Sequence, residues 1–178
     1  MEKDISKIIL DEATIAARVK KLGAELTANF KDEFPVFICI LRGGVVFFSD
    51  LIKQVNTHVE VDFLSLSSYG NDANSSGIVR IRKDIDTNIE NRHVVVVEDI
   101  VDSGLTLKYI FDYLEKHNPT SLSICTLLDK PQAHKTDLTM DYVGFDVGND
   151  FVVGYGLDYA EKYRNLPYVG ILKKEIYS

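Results

Sequence analysis

The chain has 178 residues, 46% hydrophobic and 26% charged, with a formal net charge of −7. That length fits one compact domain and is too short for two ordinary ones. The acidic balance argues against a broad electrostatic nucleic-acid surface, so a phosphate ligand must be met locally, by a few cations, backbone N–H groups or a metal. Met1-Glu2-Lys3-Asp4 lacks the apolar core of a signal peptide. No run approaches the roughly 20 apolar residues of a membrane span. A cytoplasmic protein without a membrane partner is expected. Cys39 and Cys125 lie inside apolar runs and are expected as buried free thiols, consistent with a reducing compartment.

Ile15, Val19, Leu22 and Leu26 recur at helical spacing and predict an amphipathic helix over 11–29. Pro35 breaks that pattern. Val36-Phe37-Ile38-Cys39-Ile40-Leu41 follows, a short continuous apolar run of the kind buried on both faces of a parallel sheet. It ends at Arg42-Gly43-Gly44, after which Val45, Phe48, Leu51 and Ile52 share one side of a second helix. Val59 to Leu64 alternates and predicts another strand. From Ser67 to Asn91 the chain turns polar, apart from a short strand expected over 78–82. An excursion of that length inside a compact domain is either a functional lid or a disordered loop. His93 to Glu98 is the strongest strand signal. Leu107, Ile110, Phe111 and Leu114 mark a helix, and Ser121 to Leu128 a further strand. Tyr142–Phe145, Phe151–Tyr155 and Val169–Leu172 are short and β-prone. Strands alternating with helices predict an α/β fold, a single domain over 1–178 with a central, mainly parallel sheet flanked by helices.

In open α/β sheets ligands bind outside the carboxyl ends of the strands. The loops after Leu41, Leu64, Val97, Leu128 and Val153 are therefore the candidates. The stretch after Val97 says most. Glu98 and Asp99 stand where a buried strand emerges, Asp102 follows, and Ser103-Gly104-Leu105-Thr106 leads into a helix. The free N–H groups of that helix favour an anion, Gly104 permits close approach, and Ser103 and Thr106 add hydroxyl donors. Carboxylates cannot bind a phosphate, so they serve hydroxyls or a divalent metal. A phosphorylated sugar fits both halves. Taken alone, Asp102-Ser103 also fits a helix N-cap. The site is no P-loop, because GxxxxGK[ST] is absent, and Gly154-Tyr155-Gly156 lacks the third glycine of a dinucleotide fingerprint.

The run Val94 to Thr106 resembles the phosphoribosyl-diphosphate (PRPP) binding motif of type I phosphoribosyltransferases. Leu41-Arg42-Gly43-Gly44, Ser68-Tyr69, Leu128-Asp129-Lys130-Pro131 and Phe151 to Tyr159 stand around it in order and at similar spacing. With them, most of the chain resembles the hypoxanthine-guanine phosphoribosyltransferase family. The resemblance implies the type I fold, a small hood from the N-terminal residues and about 130–178, and a mobile lid over about 67–91 that includes Ser68 and Tyr69. It implies that Glu98 and Asp99 hold the ribose hydroxyls, directly or beside Mg²⁺. Asp102, Ser103, Gly104, Leu105 and Thr106 are implied at the 5′-phosphate, with Asp102 also near the purine N7 as general base or proton acceptor. Leu41, Arg42, Gly43 and Arg164 are implied at the diphosphate, and the Leu41–Arg42 peptide as a cis bond. Lys130 is implied as donor to the purine O6, Phe151 as the stacking ring, and Val152 as a backbone contact to the base edge. Asp158 is implied beside the purine and, with Glu98 and Asp99, at Mg²⁺. Without the resemblance, Lys130 reads as a solvated loop lysine, Phe151 as core packing, and Asp158 and Arg164 as a surface ion pair. Some members carry lysine where Leu105 sits, so this chain leans more on N–H groups for the phosphate.

The implied activity is purine salvage: Mg²⁺-dependent transfer of 5-phosphoribosyl from PRPP to hypoxanthine or guanine, giving IMP or GMP and diphosphate. The donor-only ammonium of Lys130 suits a 6-oxo group and leaves a mismatch of ~1–3 kcal/mol against the 6-amino group of adenine. PRPP and a 6-oxopurine are the implied partners, in a homodimer or homotetramer without nucleic acid. Three alternatives stay open. One is transfer to another base, xanthine or a pyrimidine. Another is a PRPP-sensing regulator that binds nucleic acid, disfavoured by the acidic charge and the intact Asp102. The third is a catalytically silent PRPP-binding subunit.

Overall fold

Helices cover both faces of the central sheet, whose inner strands carry unbroken apolar runs over Val36–Leu41 and over 94–97. The computed structural model describes residues 1–68 and 79–178. Asp11 opens α1 (Glu12–Asn29) by accepting the Thr14 N–H at 2.8 Å, a side-chain N-cap. The larger sheet holds β2 (Val36–Leu41), β3 (Glu60–Ser68), β4 (Val79–Lys83), β5 (His93–Val101), β6 (Ser121–Asp129) and β7 (Tyr142–Asp146). Their order is β4-β3-β2-β5-β6-β7, and every neighbouring pair is parallel except β3–β4. Two further helices, α2 (Val45–Ile52) and α3 (Leu105–Leu114), follow β2 and β5. Val95 and Val97 of β5 pack with α1 and α2, while Val94 and Val96 pack with α3 on the opposite face. Successive strand residues point to opposite faces. A strand covered on both sides therefore reads as an unbroken apolar run.

A second, antiparallel sheet packs on the same core, with Val152 and Val169 in the cluster that α1 and α2 cover. It consists of β1 (Ile5–Leu10), β8 (Val152–Val153) and β9 (Val169–Leu172), in the order β1-β9-β8. It is built from the N-terminal and late C-terminal segments, as expected for the hood. Two features differ from the expectation. The segment after residue 130 does not all join this sheet, because β7 extends the main sheet beside β6. Strand β1 was not legible in the sequence: its middle residues are exposed, and it exists only by pairing with β9, the far end of the chain.

The polar excursion is anchored over much of its length. Tyr69 and the rest of 69–78 lie outside the described residues. Beyond them β4 pairs antiparallel with β3. Asp62, 5% exposed, then accepts the N–H groups of Asp86 at 2.7 Å and Thr87 at 2.8 Å and the Lys83 ammonium at 3.3 Å. Ile89 is buried behind them. Both cysteines are buried and free, and burial, followed by the charges of Glu98 and Asp99, pushes the Cys39 thiol up to about 12. Among the described residues no helix is long and apolar enough to cross a membrane.

Burial opposes the charge on Asp62. The N–H groups of Thr87, Phe63 and Asp86, with Lys83, outweigh it and hold the carboxyl below its ordinary range. A carboxyl whose pKa is lower folded than unfolded adds stability above its ordinary value of about 3.9 and loses it as pH falls through the folded value. Asp62→Asn is therefore expected to unfold at lower urea than wild type near neutrality, with the two midpoints converging as pH drops below about 4. A difference in midpoint that stays constant from neutral to acid pH would contradict this anchor.

Candidate active site

The chain leaves β2 and β5 in opposite directions along the sheet, toward β3 on one side and β6 on the other. At such a reversal of strand order a crevice opens beyond the carboxyl ends. The ladder between β2 and β5 stops at Cys39 opposite Val97, whereas that between β5 and β6 runs on to Val101 opposite Asp129. Glu98 and Asp99 are thus still within a strand, three residues longer than the sequence suggests, with β6 on one side and, among the described residues, no strand on the other. The connecting loop shrinks to residues 102–104. On the far side of the crevice, β2 ends in a cis Leu41–Arg42 peptide, as the resemblance implies.

Asp99 is 8% exposed and Glu98 half-buried. Burial first, and then the charge of Asp99, pushes the Glu98 carboxyl well above the ordinary range. Burial also raises Asp99, against the opposing effects of Glu98, the Ile100 N–H at 2.8 Å and the charge of Arg164. Two glycines let the surrounding turns close on this pair. A Cβ at Gly43 would lie 1.7 Å from Asp99 Oδ2, and one at Gly156, where φ is 104°, would lie 2.2 Å from the Gly43 carbonyl oxygen.

The turn into α3 has no side-chain cap. Its N-cap is Gly104 at φ 75°, so Asp102 is free of the capping use that its position in the sequence allowed. Ser103 Oγ accepts the Leu105 N–H at 3.4 Å, and Thr106 is exposed. The Leu105 side chain points outward, 56% exposed. The loop after β6 holds this turn from behind, since Lys135 N–H donates to the Ser103 carbonyl at 2.9 Å and Thr136 Oγ1 sits against Gly104. A cavity of about 120 Å³ lies here, lined by Glu98, Asp102, Ser103, Gly104 and Thr106 among others.

Lys130 is not a solvated loop lysine. It is 8% exposed, its N–H donates to the Val101 carbonyl at 2.9 Å, and its Nζ lies 3.7 Å from Asp102 Oδ2. Phe151 stands at the head of β8 with 36% of its surface exposed, beside the buried Val152. Asp158 pairs with Arg164 at 2.8 Å, and Arg164 Nη1 donates to the Gly156 carbonyl at 2.8 Å. Glu161, which no sequence pattern singles out, reaches both Arg42 at 3.0 Å and Arg164 at 3.4 Å. Arg42 and Arg164 therefore converge on one anion although 122 positions separate them (164 − 42). Asp158 is turned to Arg164, and the described residues contain no group of three acids, histidines or cysteines that could cage a metal. The adjacent hard carboxylates of Glu98 and Asp99 nonetheless fit Mg²⁺, which is commonly held by one or two carboxylates together with substrate oxygens.

The model of the phosphoribosyl transferase domain matches residues 6–160. A hypoxanthine-guanine phosphoribosyltransferase of Bacillus subtilis (strain 168) is 51% identical over 177 residues, 99% of this chain and 98% of that one. The chain belongs to the phosphoribosyltransferase family, in its hypoxanthine-guanine branch. A solved hypoxanthine phosphoribosyltransferase of Staphylococcus aureus superposes on this phosphoribosyltransferase with a TM-score of 0.96 at 47% identity, covering 100% of this chain and 97% of that one. A solved hypoxanthine-guanine-xanthine phosphoribosyltransferase gives 0.88 at 42% identity, covering 97% and 99%.

The glycine at 43 makes a direct prediction about this phosphoribosyltransferase. Gly43→Ala is expected to destabilise it by about 1–3 kcal/mol, because Asp99 or the turn has to move. Gly148→Ala, whose Cβ would meet nothing within 4 Å, is expected to stay within about 0.5 kcal/mol. Chemical denaturation of both variants checks the contrast, and equal midpoints would show that the Gly43–Asp99 contact yields freely.

Proposed function

We propose that the chain is a Mg²⁺-dependent purine-salvage enzyme that transfers 5-phosphoribosyl from PRPP to hypoxanthine or guanine, releasing diphosphate and IMP or GMP. The observation that carries this is the buried Lys130 ammonium 3.7 Å from the exposed carboxylate of Asp102, which begins the turn into α3. It supports a role for Lys130 as the donor-only group for the purine O6 and for Asp102 as the proton acceptor for the ring nitrogens.

In this reading the N–H groups of 104–106 and the hydroxyls of Ser103 and Thr106 hold the 5′-phosphate, with Leu105 supplying no cation. Glu98 and Asp99 meet the ribose hydroxyls and, with Asp158, are the residues that would hold Mg²⁺. The bond from the anomeric carbon to diphosphate breaks as that carbon bonds to the purine nitrogen, and Asp102 takes the proton the base gives up. Positive charge developing on the ribose faces the two acids, a fixed electrostatic stabilisation. Arg42 and Arg164 exchange Glu161 for the diphosphate, while Leu41 and Gly43 line its site. Bound Mg²⁺ adds charge neutralisation of the leaving group. Phe151 stacks on the base and Val152 contacts its edge through the backbone. Ser68 closes β3 at the entrance to the lid. The enzyme acts in the cytoplasm as a homodimer or homotetramer. A second reading, use of xanthine as well, is favoured by the likeness to the hypoxanthine-guanine-xanthine enzyme.

The test is product formation from hypoxanthine, guanine, xanthine and adenine with PRPP, with and without Mg²⁺. Hypoxanthine and guanine should turn over and chelation should stop the reaction. Adenine should be slower by roughly tenfold or more, the scale of one buried donor mismatch. Asp102→Asn should lower kcat by about 100-fold or more with little change in the KM for PRPP. Equal rates with adenine, or undiminished turnover by Asp102→Asn, would overturn the assignment.

A further inference from the structure

Phe151 has neighbours that no part of this mechanism uses. Its ring stacks on Tyr177, with centroids 4.9 Å apart and planes at 27°. Tyr159 lies perpendicular to it, with centroids 5.6 Å apart and planes at 89°. With two rings packed against it, Phe151 still exposes 36% of its surface. The exposed remainder is the surface that the proposed base would stack against.

We propose that Tyr177 is a positioning residue for the purine: it backs the Phe151 ring, so that the base completes a three-layer stack of Tyr177, Phe151 and purine. The inference rests on the reading of Phe151 as the base-stacking ring.

The local structure holds Tyr177 in place. It ends the short helix α4 (Lys174–Tyr177), whose Ile176 packs into the cluster of Val153, Tyr163, Leu166 and Leu172. Lys173, the residue before α4, donates its N–H to the Asp4 carbonyl at 2.9 Å, and Asp4 Oδ2 accepts the Tyr163 hydroxyl at 3.1 Å. The Phe151 backbone is fixed too, since its carbonyl accepts the Leu172 N–H at 2.9 Å. A half-exposed phenylalanine without backing has to give up ring freedom when a ligand stacks on it. One already packed against a second ring has given it up beforehand, and binding costs less for it. The tilted, offset contact with Tyr177 is of the kind that aromatic pairs prefer.

Steady-state kinetics of Tyr177→Ala and Tyr177→Leu test this, the leucine keeping apolar bulk so that α4 stays docked. Both variants should raise the KM for hypoxanthine about fivefold, the scale of one aromatic pair. The KM for PRPP and kcat should stay within about twofold of wild type, the change expected when an interaction common to ground and transition states is removed. Tyr177→Phe should restore wild-type values, because the ring and not the hydroxyl does the backing. Adding Tyr177→Ala to Phe151→Ala should raise the hypoxanthine KM no further. If Phe151→Ala raises that KM while both Tyr177 variants leave it unchanged or lower it, the role of Tyr177 is overturned and base stacking stands. If Phe151→Ala leaves it unchanged, base stacking fails and this inference with it. Parallel rises in the KM for hypoxanthine and for PRPP would mark general loosening of the hood and overturn the inference as well.

Discussion

Two carboxylates side by side on a buried strand are an electrostatic liability, and much of this molecule is arranged around them. Glu98 and Asp99 sit on β5 just past the point where its ladder with β2 stops. Burial and mutual repulsion push the Glu98 carboxyl up, and the nearby charge of Arg164 relieves Asp99 only in part. Such an arrangement costs stability unless something positive arrives. A metal with the hydroxyls of a sugar, and later a ribose that gains positive charge, are the ligands that would bring it. The crevice that admits them exists because the strand order reverses between β2 and β5.

The glycines at 43 and 156 follow from the same constraint. The β2–α2 turn, the β5 acids and the turn after β8 approach so closely that a single methyl group at either glycine would collide with an oxygen. Close approach lets Arg42 and Arg164 share the Glu161 carboxylate. It also shows how a chain of net charge −7 can serve a polyanionic substrate. The cations are few and already face an anion, while the turn into α3 offers N–H groups with no side-chain cap. No basic surface is required.

The small sheet contributes rings and pairing where the main sheet contributes charge. β8 is only two residues long, yet it sets Phe151 at the rim and buries Val152 beside it. Its partner β9 pairs in turn with β1, so both ends of the chain carry the element that presents the proposed stacking ring. The contact of Tyr177 with Phe151 extends that dependence to the penultimate residue.

The α1 stripe, the continuous runs of β2 and β5 and the acid-rich turn after Val97 were legible in the sequence because each is a local pattern. Helical spacing, an unbroken apolar run and a glycine before a helix carry their meaning within a few residues. The family resemblance added the cis peptide at Leu41–Arg42, which the structure contains. Other features depend on partners distant in the chain. β1 needed β9, the extra length of β5 needed β6, and the placement of β7 needed the edge of the main sheet. Lys130 read alone as a solvated lysine, and only the packing of its loop against Val101 buries it beside Asp102. Glu161 had no pattern at all until the fold set Arg42 and Arg164 on either side of it. Local pattern was enough to mark most elements of the main sheet, its flanking helices and a sugar-phosphate site after Val97. Tertiary structure decided which charges meet there, because salt bridges and stacked rings are set by distances in space that sequence separation does not encode.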